Sequence, residues 1–116
     1  MFIAYAVTAS LLALLLLASA SGKLRRDEKM VASFTEIGVP LSWLPLLAAC
    51  EIAGALGLVA GIWVGPLGVA AAVGVVLYFV GAVGAHLRKG DLKGTPPAAV
   101  VLVVSAAVLA LGVAAL

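Results

Sequence analysis

Charged residues are scarce in this chain. Only 10% of its 116 residues are Asp, Glu, Lys or Arg, whereas 66% are hydrophobic. Soluble domains average about 25% charged and about 45–50% apolar residues, so this chain has too few polar side chains to cover a water-exposed surface. An ordinary soluble domain is therefore excluded. The basic residues flank apolar segments, where they act as topological anchors, and this argues against a nucleic-acid partner.

Residues that bind metals or carry redox chemistry are also scarce. Cys50 is the single cysteine and His86 the single histidine, which excludes an intrachain disulfide, a bis-His haem and an ordinary zinc site. The sequence contains no phosphate-binding P-loop and no Gly-x-Ser-x-Gly nucleophile motif. We therefore expect no metal, and catalysis by this chain on its own is disfavoured.

The sequence is instead rich in long apolar segments. There are four, with approximate bounds at residues 2–20, 43–63, 67–86 and 97–116. At a rise of about 1.5 Å per residue, roughly 20 helical residues cross the ~30 Å hydrocarbon core of a bilayer. We therefore predict an all-α fold, in which residues 1–116 form one domain, an integral membrane four-helix bundle.

The basic residues predict the orientation of this bundle. All seven Lys and Arg residues lie within residues 23–29 and 88–93. Because positively charged loops stay in the cytoplasm, the amino and carboxyl ends are both expected to face outward. Residues 18–20, Ala-Ser-Ala, resemble a signal-peptidase site, but no Lys or Arg precedes them, so we expect the first helix to be retained. The Ala-, Val- and Gly-rich composition is typical of a GC-rich bacterial genome, which suggests a multi-pass protein of the bacterial cytoplasmic membrane.

The connection between the first and second spans has a helical periodicity of its own. The apolar residues recur at helical spacing, namely Met30, Val31, Phe34 and Ile37, and the polar residues opposite them are Ser33, Thr35 and Glu36. Gly38 then provides a helix stop. We predict a short amphipathic helix at the membrane interface, and an ordinary solvated loop is the alternative.

Small residues are expected to hold the spans together, because apolar burial does not drive helix association inside lipid. In the second span, small residues recur every four residues at Ala49, Ala53, Gly57 and Gly61, and Gly54 lies next to this row. The third span adds Gly74 and Gly81. This pattern predicts close helix packing within one bundle. A homodimer face is the alternative.

Glu51 is the acidic residue that lies within an apolar span. It is roughly 10–12 Å below the cytoplasmic end of its helix, where an ionised carboxylate is costly unless it has a partner. His86 approaches the same membrane face and is the favoured partner, with Lys23, Arg88 and Tyr78 in the same polar pocket. Such a pair suits proton handling or head-group binding. The structural alternative is a pair that only pins two helices together.

Several short motifs follow one another along the first three spans. They are Lys23-Leu24, Gly38-Val39-Pro40, the Glu-Ile-Ala-Gly-Ala-Leu-Gly-Leu run of residues 51–58, Gly81-Ala82, His86-Leu87-Arg88 and Gly90-Asp91. Together they resemble the DoxX-like family of small four-helix membrane proteins. The resemblance implies polar positions at Lys23, Glu51, His86 and Arg88. It also implies links to membrane oxidoreductase and oxidative-stress systems, or to the assembly of other membrane proteins.

We therefore predict an accessory membrane subunit that binds a protein partner at a cytoplasm-facing pocket bounded by Glu51 and His86. No cofactor is certain, and a quinone or a phospholipid is the candidate ligand. In this hypothesis Lys23 and Arg88 receive an anionic head group, while Glu51 and His86 accept and donate a proton or hydrogen bond. Two alternatives stay open, namely a proton-handling component of a quinone oxidoreductase and an assembly factor or chaperone.

Overall fold

Each of the four apolar segments forms one long helix. A computed structural model describes residues 1–26, 28–36, 38–90 and 95–116. Its elements, in chain order, are α1 Phe2–Leu24, α2 Glu28–Glu36, a 3-10 turn Leu41–Trp43, α3 Leu44–Ala60, α4 Gly65–Arg88 and α5 Thr95–Ala114. Within the described residues, four segments are long and apolar enough to cross a membrane: α1, the 3-10 turn together with α3, α4 and α5. The predicted all-α fold with four spans is confirmed.

The helix ends agree with local sequence chemistry. Pro45 and Pro66 lie in the first turns of α3 and α4, where a backbone N–H is not needed for the helix. The first span is longer than expected, so Lys23 belongs to the last turn of α1, where helix carbonyls favour a cation. Gly38 follows α2 with a φ of +78°, a conformation that suits glycine at a helix stop.

The interfacial position of α2 and the outward orientation of both ends stay predictions, and Asp91 lies outside the described residues.

The four long helices form a closed ring. Helix α1 contacts α3 and α5, and α4 contacts the same two helices from the other side. The short helix α2 contacts the end of α1 and the 3-10 turn. The core between the long helices contains, among others, Tyr5, Leu12, Leu16, Leu58, Val75, Phe79 and Val108. Because connected spans are antiparallel, Lys23 and the carboxyl end of α4 lie at the same end of the ring.

The opposite end of the bundle is closed around Tyr5. The Tyr5 hydroxyl donates a hydrogen bond of 2.8 Å to the backbone oxygen of Leu58. In a continuing helix Ile62 would bond this oxygen, but its N–H bonds Val59 instead. The buried tyrosine of α1 thus satisfies one of the carbonyl groups that a helix leaves unpaired at its carboxyl end, here that of α3.

Three glycines surround the Tyr5 side chain, namely Gly61 directly after α3, Gly68 in α4 and Gly112 in α5. A Cβ added at Gly61 or Gly68 would collide with the Tyr5 hydroxyl and with the backbone of the opposite glycine. A Cβ at Gly112 would lie 3.3 Å from the Tyr5 ring. All four long helices therefore converge at this site, which we call the Tyr5 end.

Three of the predicted packing residues make close contacts within the bundle. A Cβ at Gly57 would lie 2.7 Å from the Cβ of Ala71, and a Cβ at Gly54 would lie 2.9 Å from Cγ2 of Val75. Gly61 belongs to the Tyr5 end described above. The absence of a side chain at these positions is what allows α4 to approach α3 closely.

Four other predicted packing residues make no such contact. Ala49 and Ala53 are exposed on α3, and a Cβ at Gly74 or Gly81 of α4 would meet nothing within 4 Å. A packing role for these four residues stays a prediction. Residues four apart differ by about 40° in direction around a helix. A row of small residues that faces α4 at Gly57 therefore points progressively outward at Ala53 and Ala49. A homodimer face stays a prediction.

Candidate functional site

Lys23 and Glu51 form a buried ion pair between α1 and α3. The Lys23 Nζ lies 2.5 Å from Glu51 Oε1, and the two side chains are 6% and 0% exposed. The same Nζ donates a hydrogen bond of 2.8 Å to Ser19 Oγ, one helical turn earlier. Each charge is therefore compensated by the other in the buried interior, where an isolated charge would be costly.

The partner of Glu51 is Lys23, whereas the sequence favoured His86. The reason is the arrangement of the ring, in which α1 lies beside α3 and carries Lys23 in its last turn. The long apolar stem of a lysine lets its ammonium group reach a carboxylate on the neighbouring helix. His86 lies in the last turn of α4 and lines a cavity together with Lys23, whereas Arg88 is exposed at the helix end.

The carboxylate of Glu51 faces Lys23 of α1 and Tyr78 of α4. Among the residues that the structure describes, Lys23 Nζ is the ion-pair partner of Glu51 Oε1, and neither carboxylate oxygen meets the geometry of a regular hydrogen bond. The Tyr78 phenol of α4 faces this carboxylate and lies within electrostatic and hydrogen-bonding range of it. A buried carboxylate needs such partners, and these two residues provide them.

A cavity of about 590 Å³ lies beside the ion pair, at what we call the Lys23 end. Its polar lining comes from Ser19, Lys23, Tyr78 and His86. The remaining lining is mostly apolar: Leu15, Leu16, Phe34, Val39, Trp43, Leu47, Phe79, Gly81, Ala82, Ala85, Pro97, Ala98 and Val101. A mostly apolar cavity of this size with a few polar groups is typical of a small-molecule site.

Helix α2 contributes one wall of this large cavity. Its Phe34 ring lies 5.6 Å from the Lys23 Nζ, within the range of a cation–π contact. The amphipathic pattern predicted an apolar face that includes Phe34, and the contact of its ring with Lys23 was not predicted. Ser19 was also missed, although a residue four positions before a lysine on a helix is a natural neighbour.

A second cavity, of about 410 Å³, lies between α3 and α4. Glu51 lines it, together with Leu16, Cys50, Ala53, Gly54, Ala71, Gly74, Val75, Tyr78 and Phe79. We call it the α3–α4 cleft. The Tyr78 and Phe79 rings, 5.0 Å apart between centroids, line both the cleft and the large cavity. Glu51 therefore lines the α3–α4 cleft, whereas its partner Lys23 lines the large cavity.

Metal-binding side chains do not gather at this site. Within the described ranges, no three His, Cys, Asp or Glu residues lie close enough to hold a metal ion. The groups available for a ligand are instead one ammonium, one carboxylate, one imidazole and one phenol. These groups suit hydrogen bonding to an organic head group.

The fold and the site define a small multi-pass membrane protein with a buried ion pair beside an apolar cavity. A sequence profile of the DoxX-like family matches residues 7–108. The chain therefore belongs to the DoxX-like family, and the resemblance drawn from its motifs is confirmed. No curated protein and no solved structure matches the chain. The location in a bacterial cytoplasmic membrane stays a prediction.

Proposed function

We propose that this protein is an accessory membrane subunit that binds an amphipathic molecule in the large cavity and works with a protein partner. The supporting observation is the cavity itself, which is apolar along most of its wall and polar around Lys23 and His86. An apolar tail fits the first region. A head group that accepts hydrogen bonds, such as a quinone carbonyl or a lipid phosphate, fits the second.

The polar groups have donors to offer such a head group. An ammonium group has three N–H donors, and Lys23 uses one of them for Ser19, forms an ion pair with Glu51 and also lines the cavity. Because Glu51 neutralises Lys23, a neutral quinone can bind beside Lys23 without facing an uncompensated charge. An anionic phosphate would draw on the same donors and on His86.

The proposal assigns any catalysis to the partner rather than to this chain. With a single histidine and a single cysteine, the chain offers few groups for covalent or metal-assisted chemistry. Binding and orienting a molecule dissolved in the membrane needs only a cavity of suitable shape and a few polar contacts. The large cavity and its polar lining residues provide both.

Native mass spectrometry of the protein, extracted gently from its own membrane, tests this proposal. We expect a retained quinone or phospholipid, and the two are distinguished by mass. Gly81→Leu places a side chain at the large cavity without a clash, and we expect it to abolish retention. Gly84→Leu is the matched control, since Gly84 lies on the same helix, has equally open surroundings and lines neither cavity.

Other outcomes would contradict this function. Retention that survives Gly81→Leu would place the ligand elsewhere on the protein. A stable protein complex with no small molecule would favour the assembly-factor or chaperone alternative. A bound quinone that is turned over, with turnover lost in Glu51→Gln, would favour the oxidoreductase alternative.

A further inference from the structure

Helix α2 lies at the Lys23 end of the bundle without belonging to its core. It packs against the end of α1 and against the 3-10 turn. Within the described part of the chain, none of its side chains is among the buried residues of the core, whereas each of the four long helices contributes to that core. A segment with few buried apolar contacts opens at a lower free energy than the structure that carries it. Helix α2 is therefore able to move while the long helices stay packed.

The two turns that flank α2 each contain a residue in the left-handed region of the backbone. Arg26 precedes the helix with a φ of +53°, and Gly38 follows it with a φ of +78°. Hinges are commonly residues at the ends of an element, where a change in one backbone angle redirects the whole element. Because Arg26 has a Cβ, its conformation is unfavourable by itself. The position of α2 has to be stabilised by contacts that the helix makes.

Two contacts hold α2 and its trailing turn in place. The Phe34 ring lines the large cavity and lies 5.6 Å from the Lys23 Nζ of α1. At the other end, a Cβ added to Gly38 would lie 3.2 Å from Cε of Lys89, the residue that follows α4. The first contact connects α2 to α1, and the second connects the turn after α2 to the end of α4. Helix α2 is thus held on two sides of the bundle.

We infer that α2 is a lid over the large cavity, hinged at Arg26 and Gly38 and held shut by the contact of Phe34 with Lys23. The long helices line the cavity from the sides, and Phe34 adds a wall from α2. Movement of α2 about its hinges removes this wall and uncovers Lys23. The role of the lid rests on the proposed function, since it controls entry of the amphipathic molecule into the same cavity. The movement itself requires no ligand.

Cysteine labelling of the full chain in lipid nanodiscs tests the lid without a ligand. The native cysteine is removed as Cys50→Ala, and Val101→Cys places a thiol on the wall that α5 contributes to the cavity. A charged methanethiosulfonate reagent does not dissolve in lipid, so it reaches this thiol from water at the Lys23 end. Phe34→Ala removes the contact with Lys23, and we expect labelling to become about fivefold faster or more. An unchanged rate would overturn the inference.

A hinge variant keeps the Phe34 side chain, and so separates movement of α2 from a gap in the wall. Gly38→Ala disfavours the left-handed backbone of the closed position, so we expect labelling of Val101→Cys to become about threefold faster. Gly90→Ala is the matched control, because Gly90 has a similar φ of +68°, follows α4 and lines neither cavity. A native rate in Gly38→Ala, or an equal acceleration in Gly90→Ala, would contradict a hinge at Gly38.

A second thiol separates opening of the lid from loosening of the bundle. Val108→Cys makes the same substitution about two turns further along α5, at a buried core position that lines neither cavity. Its labelling rate should stay unchanged in Phe34→Ala and in Gly38→Ala. Equal acceleration at both thiols would mean that these variants loosen the whole bundle, and it would overturn the lid. Because the labelling uses no ligand, its failure is distinct from a failure to retain a quinone or phospholipid.

Discussion

The two ends of the bundle show how the same four helices close one site and open another. At the Tyr5 end, one buried tyrosine fills the space between three glycines, and the helices converge. At the Lys23 end, an ion pair stands between α1 and α3 beside a cavity of about 590 Å³. Close packing and open space thus lie at opposite ends of the bundle. The packed end contains a tyrosine among glycines, whereas the open end contains an ion pair beside a cavity.

The glycines of α4 show that residue type alone does not decide between packing and space. Gly68 lies at the Tyr5 end, where an added Cβ would collide with Gly61 and Tyr5. Gly74 lies further along the same helix, where an added Cβ would meet nothing within 4 Å. The first glycine brings two backbones together, whereas the second leaves room in the cleft. We expect stability to depend on the Tyr5 end and binding on the Lys23 end, with one exception.

That exception is the ion pair, and removing one of its members is the largest change that we predict. Glu51→Leu leaves the Lys23 ammonium buried without its partner, and breaking a buried pair costs about 3–5 kcal/mol. Because Lys23 lies in the last turn of its helix and is able to extend toward water, we expect about 3 kcal/mol. Reversible unfolding of the purified protein in a denaturing detergent measures this loss.

The control for this prediction removes both charges at once. Lys23→Met combined with Glu51→Leu should recover most of the lost stability, since apolar replacements of a buried pair are often neutral. A double variant as unstable as Glu51→Leu alone would mean that the loss comes from packing rather than from an unpaired charge.

The second prediction compares Gly68→Ala with Gly74→Ala on the same helix. Gly68→Ala forces Tyr5 or the α3 backbone to move, and overpacking of this kind costs about 1–3 kcal/mol. Gly74→Ala adds a methyl group in open space and should be neutral or slightly stabilising, because alanine is the better helix former. The same unfolding measurement serves both variants, and equal losses would remove the distinction between the two ends.

The spans and the family were predictable because they depend on local properties of the chain. Hydropathy over about 20 residues identifies a membrane helix without knowledge of its neighbours. That Glu51 would have a partner was also readable, since an acid within an apolar span needs one. The identity of that partner was not, because it depends on which helices are adjacent and how each is rotated.

Tyr5 illustrates the part of the fold that the sequence could not reveal. A tyrosine near the end of a span is ordinarily assigned to the membrane interface, where its hydroxyl contacts water. Here its hydroxyl contacts Leu58 and its ring faces Gly112, so it lies in the core instead. Only the convergence of all four helices distinguishes these two positions.

The smallest predicted effect tests the hydrogen bond at the Tyr5 end. Tyr5→Phe keeps the ring between the glycines but leaves the Leu58 carbonyl without its donor, so we expect a loss of about 0.5–1.5 kcal/mol. Ser105→Ala is the control, because the Ser105 hydroxyl is also buried but bonds the Val101 carbonyl within its own helix. That carbonyl keeps its backbone partner, so the change should be smaller. If the two variants lose equal stability, the Tyr5 end is held by the fit of the ring against the glycines, and the hydroxyl contributes no more than any other buried hydroxyl.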